Sequence, residues 1–500
     1  MKKFVITGLL ALLVIALALI MGTGGNEADA AWPWPSLHLE LDTHPFDMPR
    51  TQWQDGTASL TGFTRRGDFE DVAVRIRGRG SSTWYREPGP EKRPLRIRFT
   101  DGERTLLGTT YAAQDWILLA NQFDPTQLRT YSVFYFVSLL GPSSSFVPMT
   151  RFVHLYINQE YVGVYLAIDE RDAGQGRMEL TWHPNPELSE FFLHYCVRAA
   201  YGDGTEGNHY VRVNGRTYEI RFPNSGTRRR AHADYIRSYL YAVSHAIRSR
   251  NFNEIERLID VDSFVDFFII NELFHNLSPN YSSTFMSIQG IGESRRLVMG
   301  PVWDFDHGYG GGPERSILYG HMYHEGIIRY SYWYMHLLRV PEFRHALSLR
   351  WQALREEGIP QQTIDHLLYM ADTYQDHFNR NFTRHPVLGT ALPGGHPAQG
   401  TLHTFDEQVS WLANWLEARI LWLDDFFDDE IPRLFSIELW IAIAKADLIL
   451  QQADHPYYDE AFGSLALITS QARALLSAPG ITQADIDEMI IKVNAAIELR

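Results

Sequence analysis

Between Leu37 and about Ala167, apolar residues recur at every second position or in short β-branched runs, the period of strands that turn alternate side chains toward a core. Residues 72–77, 95–99 and 152–157 are predicted strands. Residues 158–161 form a predicted turn into 162–166, completing a hairpin. Between these strands, residues 125–140 carry Tyr131, Phe134, Tyr135 and Leu139 at helical spacing and stop at Gly141-Pro142. A second hairpin is predicted around Asn214-Gly215, with flanks 210–213 and 218–222. From Ala231 onward the period lengthens to that of amphipathic helices, at 235–247, 264–274, 333–338, 343–354, 364–378 and 409–427, with a Pro/Gly-rich loop over 386–400. Residues 35–430 therefore read as α+β, a strand-rich first half packed on a helical second half.

After Ile431-Pro432 the pattern changes to three short helices, 437–450, 458–476 and 484–499, broken at Pro456 and Pro479-Gly480. Thr482 with Asp485 makes a capping-box-like start for the third, which places Ile486, Ile490, Val493 and Ile497 on one face. This is a small three-helix bundle at residues 433–500, following a main unit at 31–432.

The chain begins with Met1-Lys2-Lys3, an apolar run over 4–21, and Ala28-Asp29-Ala30, the three parts of a secretory signal in order. Residues 1–30 are read as a signal peptide cleaved after Ala30, with an uncleaved N-terminal anchor as the alternative, since the run is close to spanning length. The expected location is outside the cytoplasmic membrane, extracellular or at the cell surface. Membrane contact would come only through an uncleaved N-terminal segment.

Composition narrows the function. The 500 residues, at 45% hydrophobic, suffice for a large core and about three structural units. A net charge of −15 argues against a nucleic-acid partner, which would demand excess cations. Of 45 basic residues only Lys2, Lys3, Lys92, Lys445 and Lys492 are lysines. Cys196 is a lone cysteine and reads as a small buried hydrophobe; no zinc spacing, nucleophile elbow or Walker loop is present.

Two stretches could carry chemistry. In Gly300-Pro-Val-Trp-Asp304-Phe-Asp306-His-Gly-Tyr-Gly-Gly-Gly312, an extended Asp-x-Asp would place both carboxylates on one side of the chain, which suits Mg²⁺ or Mn²⁺; capping or surface acids are the plainer alternative. In the other, Arg75, Arg77 and Arg79 alternate with apolar residues and lead through Ser81-Ser-Thr-Trp84 to Lys92, Arg96 and Arg98. Such a face could bind a polyphosphate or simply face water. A lysine kept among arginines favours a compact contact to phosphate.

These stretches, taken with others in order, resemble the spore coat protein H (CotH) kinases. The matching pieces are 79–84 with 92–99, 115–121 with Asp124 and Arg129, 155–158 with 161–166, Asn271-Glu-Leu273 with 282–286, 300–306, and the helix 411–424. The resemblance implies an atypical kinase-like fold that moves the γ-phosphoryl of ATP, with Mg²⁺ or Mn²⁺, onto a Ser or Thr of a secreted or surface protein. By motif, Asp304 would bind metal with Asp306, and Lys92 would meet phosphate beside Arg79. Trp303 and Tyr165 would stack on adenine, and an acid at Asp169 or Glu170 would complete the site. One position departs: Ser278 stands where the family has an aspartate of its catalytic or metal site, and a hydroxyl is no base near neutral pH. An impaired pseudokinase acting as a binding protein, or a metal-dependent glycosyltransferase using Asp304 and Asp306, are the rival readings. The tail resembles a FIVAR module, which implies cell-surface or carbohydrate contact through the bundle.

Overall fold

The computed structural model describes residues 34–42, 47–63, 67–80, 84, 92–141, 147–170, 173–174, 176–180, 193–200, 209–224, 229–276, 278–311, 332–392 and 395–427. In the tail it describes parts of 439–450 together with 460–476 and 483–498. The predicted leader, the first predicted tail helix for the most part, and the glycine at 312 lie outside these residues.

The strand-patterned first part closes into a barrel of order β1-β2-β3-β4-β5-β7-β6. Its staves are β1 (Ser36–Leu41), β2 (Gln54–Thr61), β3 (Phe69–Gly78), β4 (Leu95–Phe99), β5 (Asp115–Leu119), β6 (Thr150–Ile157) and β7 (Glu160–Asp169). All neighbours are antiparallel except β1 and β6, whose parallel pairing shuts the barrel. The alternation in β3 and β4 works as the period of two requires: Val74, Ile76, Leu95, Ile97 and Phe99 fill the interior and the intervening arginines stand outside. Gly163 of β7 has a φ of +136°, and a Cβ there would sit 2.9 Å from Asn381 Oδ1, so only glycine allows this strand to approach the helix carrying Asn381 so closely.

Ile117, Phe152, Val164, Leu166 and Ile168 point out of the barrel and join the larger apolar core. Against them lies α1 (Arg129–Leu139), buried on most of its surface. Beyond it comes a five-stranded sheet of order β12-β11-β8-β10-β9, made of β8 (Tyr195–Ala200), β9 (Tyr210–Val213), β10 (Arg216–Phe222), β11 (Phe285–Gln289) and β12 (Arg296–Met299). The helices are α2 (Arg230–Ser249), α3 (Phe252–Leu258), α4 (Val261–Leu273), the single turn α5 (Ser278–Tyr281), α6 (Tyr332–Leu337), α7 (Pro341–Glu356), α8 (Ile359–Thr373), α9 (Gln375–Arg384) and α10 (Phe405–Phe426). Helix α4 is apolar nearly all round and buried accordingly, with Asp260 accepting from the Ser263 N–H at its start. Helix α10 starts on a Thr404/Glu407 capping box. The α+β reading holds for this main unit.

In the tail, α11 (Glu460–Leu476) and α12 (Gln483–Glu498) bury Leu465, Ala472, Ile486 and Val493 with Leu439, Ile443 and Ala446 in a core of their own. Among the described residues no helix is long and apolar enough to cross a membrane.

Candidate active site

A cavity of about 780 Å³ opens between the barrel, the N-terminal end of α1 and the second sheet. Arg50, Arg79 and Gly80 line it from the barrel side, with the chain leaving β5 at Leu119 to Phe123. Arg198, Ala200 and Tyr210 form the sheet side, and Ser282, Ser283 and the segment from Trp303 to Asp306 form the base.

The carboxylates arrive by a route that the strand period did not foretell. Residues 301–305 are irregular and Asp304 is left-handed, with a φ of +73°. The pair is thus not aligned by an extended strand, and a turn brings both acids to the cavity wall instead. Ser283, itself left-handed at +59°, donates from Oγ to Asp304 Oδ2 at 2.7 Å. Two non-glycine residues facing each other in this region represent local strain that the surroundings must hold in place. Burial first, and then the nearby Asp306, push the Asp304 carboxyl up to about 6. Paired acids in such a setting favour a cation.

A bracket of buried polar groups holds this turn. Asp124 accepts from the Arg129 N–H at 2.8 Å and lies 3.8 Å from its guanidinium, and Arg129 Nη1 donates to the Asp306 carbonyl at 3.3 Å. The Tyr309 N–H donates to the Phe274 carbonyl at 2.7 Å, and its hydroxyl is 2.6 Å from Ser132 Oγ. Asp124 and Arg129, which matched the family pattern without an assigned role, therefore position the acidic turn.

Of the residues expected at the site, Arg79, Trp303, Asp304 and Asp306 come together. The Arg79 guanidinium lies 5.5 Å from the centre of the Trp303 ring. Burial disfavours its charge, and Glu170, Asp304 and Asp306 offset part of that cost. Lys92 sits elsewhere. Its ammonium is buried, 2.9 Å from Gln127 Oε1 and 5.1 Å from the centre of the Tyr165 ring. Gln127 in turn bonds the Asn121 and Asp124 carbonyls, so Lys92 stands one layer behind the cavity wall. Burial holds its pKa well below the ordinary lysine value, with Asp124 countering in part. Tyr165 fills the barrel interior and donates to the Arg93 carbonyl at 3.0 Å, which leaves no face for a base to stack on. The strand period explains the placement of Tyr165, since a residue on the inward face of a closed barrel cannot reach an outer cavity.

Glu170 is buried against Arg96 at 3.4 Å and does not line the cavity. Ser278 opens the α5 turn, where its N–H donates to Asn276 Oδ1 at 3.1 Å, and it too is off the cavity wall. The hydroxyl that meets an acid is that of Ser283, and Ser282 lines the cavity beside it. Neither they nor Arg50, Arg198 and Tyr210 were singled out from sequence. Only Ser282 and Ser283 had a signal, as part of a matching motif.

No group of three or more His, Cys, Asp or Glu side chains suited to a metal occurs among the described residues. Asp304 and Asp306 nevertheless fit a divalent ion of the Mg²⁺ type, which takes one or two carboxylates and completes its shell with substrate phosphates and water. A family model described as CotH kinase protein matches residues 74–423. The chain belongs to the CotH kinase family. A search of curated proteins gave no match. The CotH match takes in β3 to α10 almost entirely, and so covers the cavity wall from Arg79 to Asp306. Arg50 on the same wall lies ahead of it.

Proposed function

We propose that this CotH-family chain is an exported phosphotransferase that moves the γ-phosphoryl group of ATP onto a Ser or Thr hydroxyl of a secreted or surface protein. The observation that carries this reading is the juxtaposition of Asp304 and Asp306 with Arg79 in one cavity of about 780 Å³, a size suited to a nucleotide. Phosphoryl transfer asks for positioning and charge neutralisation more than covalent help. Arg79 and Arg50 supply fixed positive charge to the phosphates, and Trp303 offers an aromatic wall. Asp304 and Asp306 would hold Mg²⁺ or Mn²⁺, which would neutralise the phosphates' charge. With Ser278 off the wall, an Asp306 oxygen not engaged with the metal would accept the proton of the acceptor hydroxyl.

The test is to incubate the full chain with labelled ATP, Mn²⁺ and a mixture of acceptor peptides. Label transfer that Asp304→Ala abolishes supports the reading. Nucleotide binding without transfer would make the protein a pseudokinase. Transfer from a sugar nucleotide, with none from ATP, would replace this function by a glycosyl transfer at the same acids.

A further inference from the structure

The outer wall of the barrel next to the cavity carries an arrangement that folding alone does not favour. In the register of β3 and β4, Arg75 lies directly opposite Arg98, and Arg77 directly opposite Arg96. Like charges at directly opposed positions destabilise a sheet, and here two successive rungs repeat them. Trp53 lies among the guanidiniums, with Arg77, Arg98 and Arg96 at 4.9, 5.0 and 6.0 Å from its ring centre.

Compensation within the chain is partial. Asp115 takes Arg98 at 2.8 Å and Arg96 at 3.1 Å, the buried Glu170 takes Arg96 at 3.4 Å, and the exposed Asp55 takes Arg75 at 2.8 Å, so four arginines face three carboxylates. Arg77 makes no direct ion pair among the described residues, and Glu170 and Asp115 offset its charge only from a distance. Its Nη1 donates to the Arg50 carbonyl at 3.0 Å, and its Nε is buried without a hydrogen bond. None of the four ladder arginines lines the cavity, so a nucleotide held there would not use them. Arg79, two residues beyond Arg77, does line it. The ladder is therefore a cationic track that ends at the acidic turn, on a protein whose net charge is −15.

We propose that this ladder docks an extended acidic segment of the acceptor protein and leads its hydroxyl residue into the cavity; the acceptor role rests on the phosphotransfer reading above. Rungs two residues apart along a strand repeat at about 6.7 Å, the spacing of alternate side chains on an extended peptide. Asp or Glu at every second position would meet successive rungs, and the guanidinium fork matches a carboxylate in geometry as well as charge. Trp53 supplies a flat apolar floor for the intervening residues.

The experiment uses the full chain and two fluorescently labelled peptides of identical composition. One has glutamates at alternate positions around a single serine, and the other has them in one block. Anisotropy titration at low salt should show the alternating peptide binding more tightly, with affinity falling as salt rises. Arg75→Glu, on an exposed side chain off the cavity, should weaken that binding by about tenfold or more while leaving ATP affinity unchanged, and Trp53→Leu should weaken it by a smaller factor. Absence of peptide binding overturns the proposal, as does binding indifferent to Arg75→Glu or to the order of glutamates. Polyphosphate or anionic vesicles binding at the ladder in place of the peptide overturns it as well. The two readings fail separately: a chain that binds the alternating peptide but neither binds nor uses ATP keeps the dock and loses the transferase, whereas transfer to neutral peptides with no acidic preference keeps the transferase and loses the dock.

Discussion

Asp169 at the end of β7 is fully buried, with the Tyr111 hydroxyl and Arg177 as the polar groups that face it. Burial pushes its pKa up to about 7, although Tyr111 and Arg177 pull the other way. The folded carboxyl therefore keeps its proton over a range in which the unfolded one has lost it, and stability falls as pH rises from about 4 to about 7. Asp169→Asn should be as stable as the parent below about pH 4 and progressively more stable than it up to pH 7, by about 4 kcal/mol at most. Urea titrations across pH would show this, and a gap that does not change with pH would refute it. Residue identity alone could not assign Tyr165, because the strand period says that a side chain faces one side or the other without saying which side becomes the interior, and Lys92 lies ahead of β4, where no period applies. The acidic turn was legible as chemistry and illegible as geometry, since the left-handed Asp304 breaks the alternation. Arg79→Ala should accordingly cost about tenfold or more in nucleotide affinity. Lys92→Met should cost less than about threefold if the fold survives, measured by calorimetric titration with ATP and Mn²⁺.

Helices α4 and α10 are joined by an ion pair with no solvent access, in which Arg419 reaches Glu272 Oε2 at 2.9 Å and the Glu272 carbonyl at 2.8 Å. Glu272 lies two residues before Phe274, whose carbonyl anchors Tyr309, so the pair braces the helix from which the acidic turn hangs. Removing one partner leaves a buried charge uncompensated. Arg419→Met should destabilise the protein by about 3–5 kcal/mol, and adding Glu272→Gln should recover a large part of that loss in a denaturant titration. A double variant no better than the single would argue against the pairing energy. At this scale the sequence was informative. Four of the seven barrel strands, both hairpins and most helices follow from period and punctuation, whereas β1, β2 and β5 were not singled out. Two departures have local causes: α1 begins at Arg129 because residues 124–127 form a buried turn instead of a first helical turn, and the helix read as 364–378 divides at Tyr374 into α8 and α9.

For the molecule as a whole, the tail has its own core, with no residue shared with either core of the main unit. A chain ending at residue 432 should keep the main thermal transition within about 2 °C and bind nucleotide as the full chain does; a shift well beyond that would mean that the tail braces the site. Barrel closure could not be read from sequence, because pairing between β1 and β6 spans over a hundred residues and leaves no local mark. That closure bears on how the protein is made. β1 finds its second neighbour only when residues 150–157 have been synthesised, so one flank of it stays open during vectorial synthesis. Such a gap invites strand exchange between nascent copies, and completion of the hoop is what removes it.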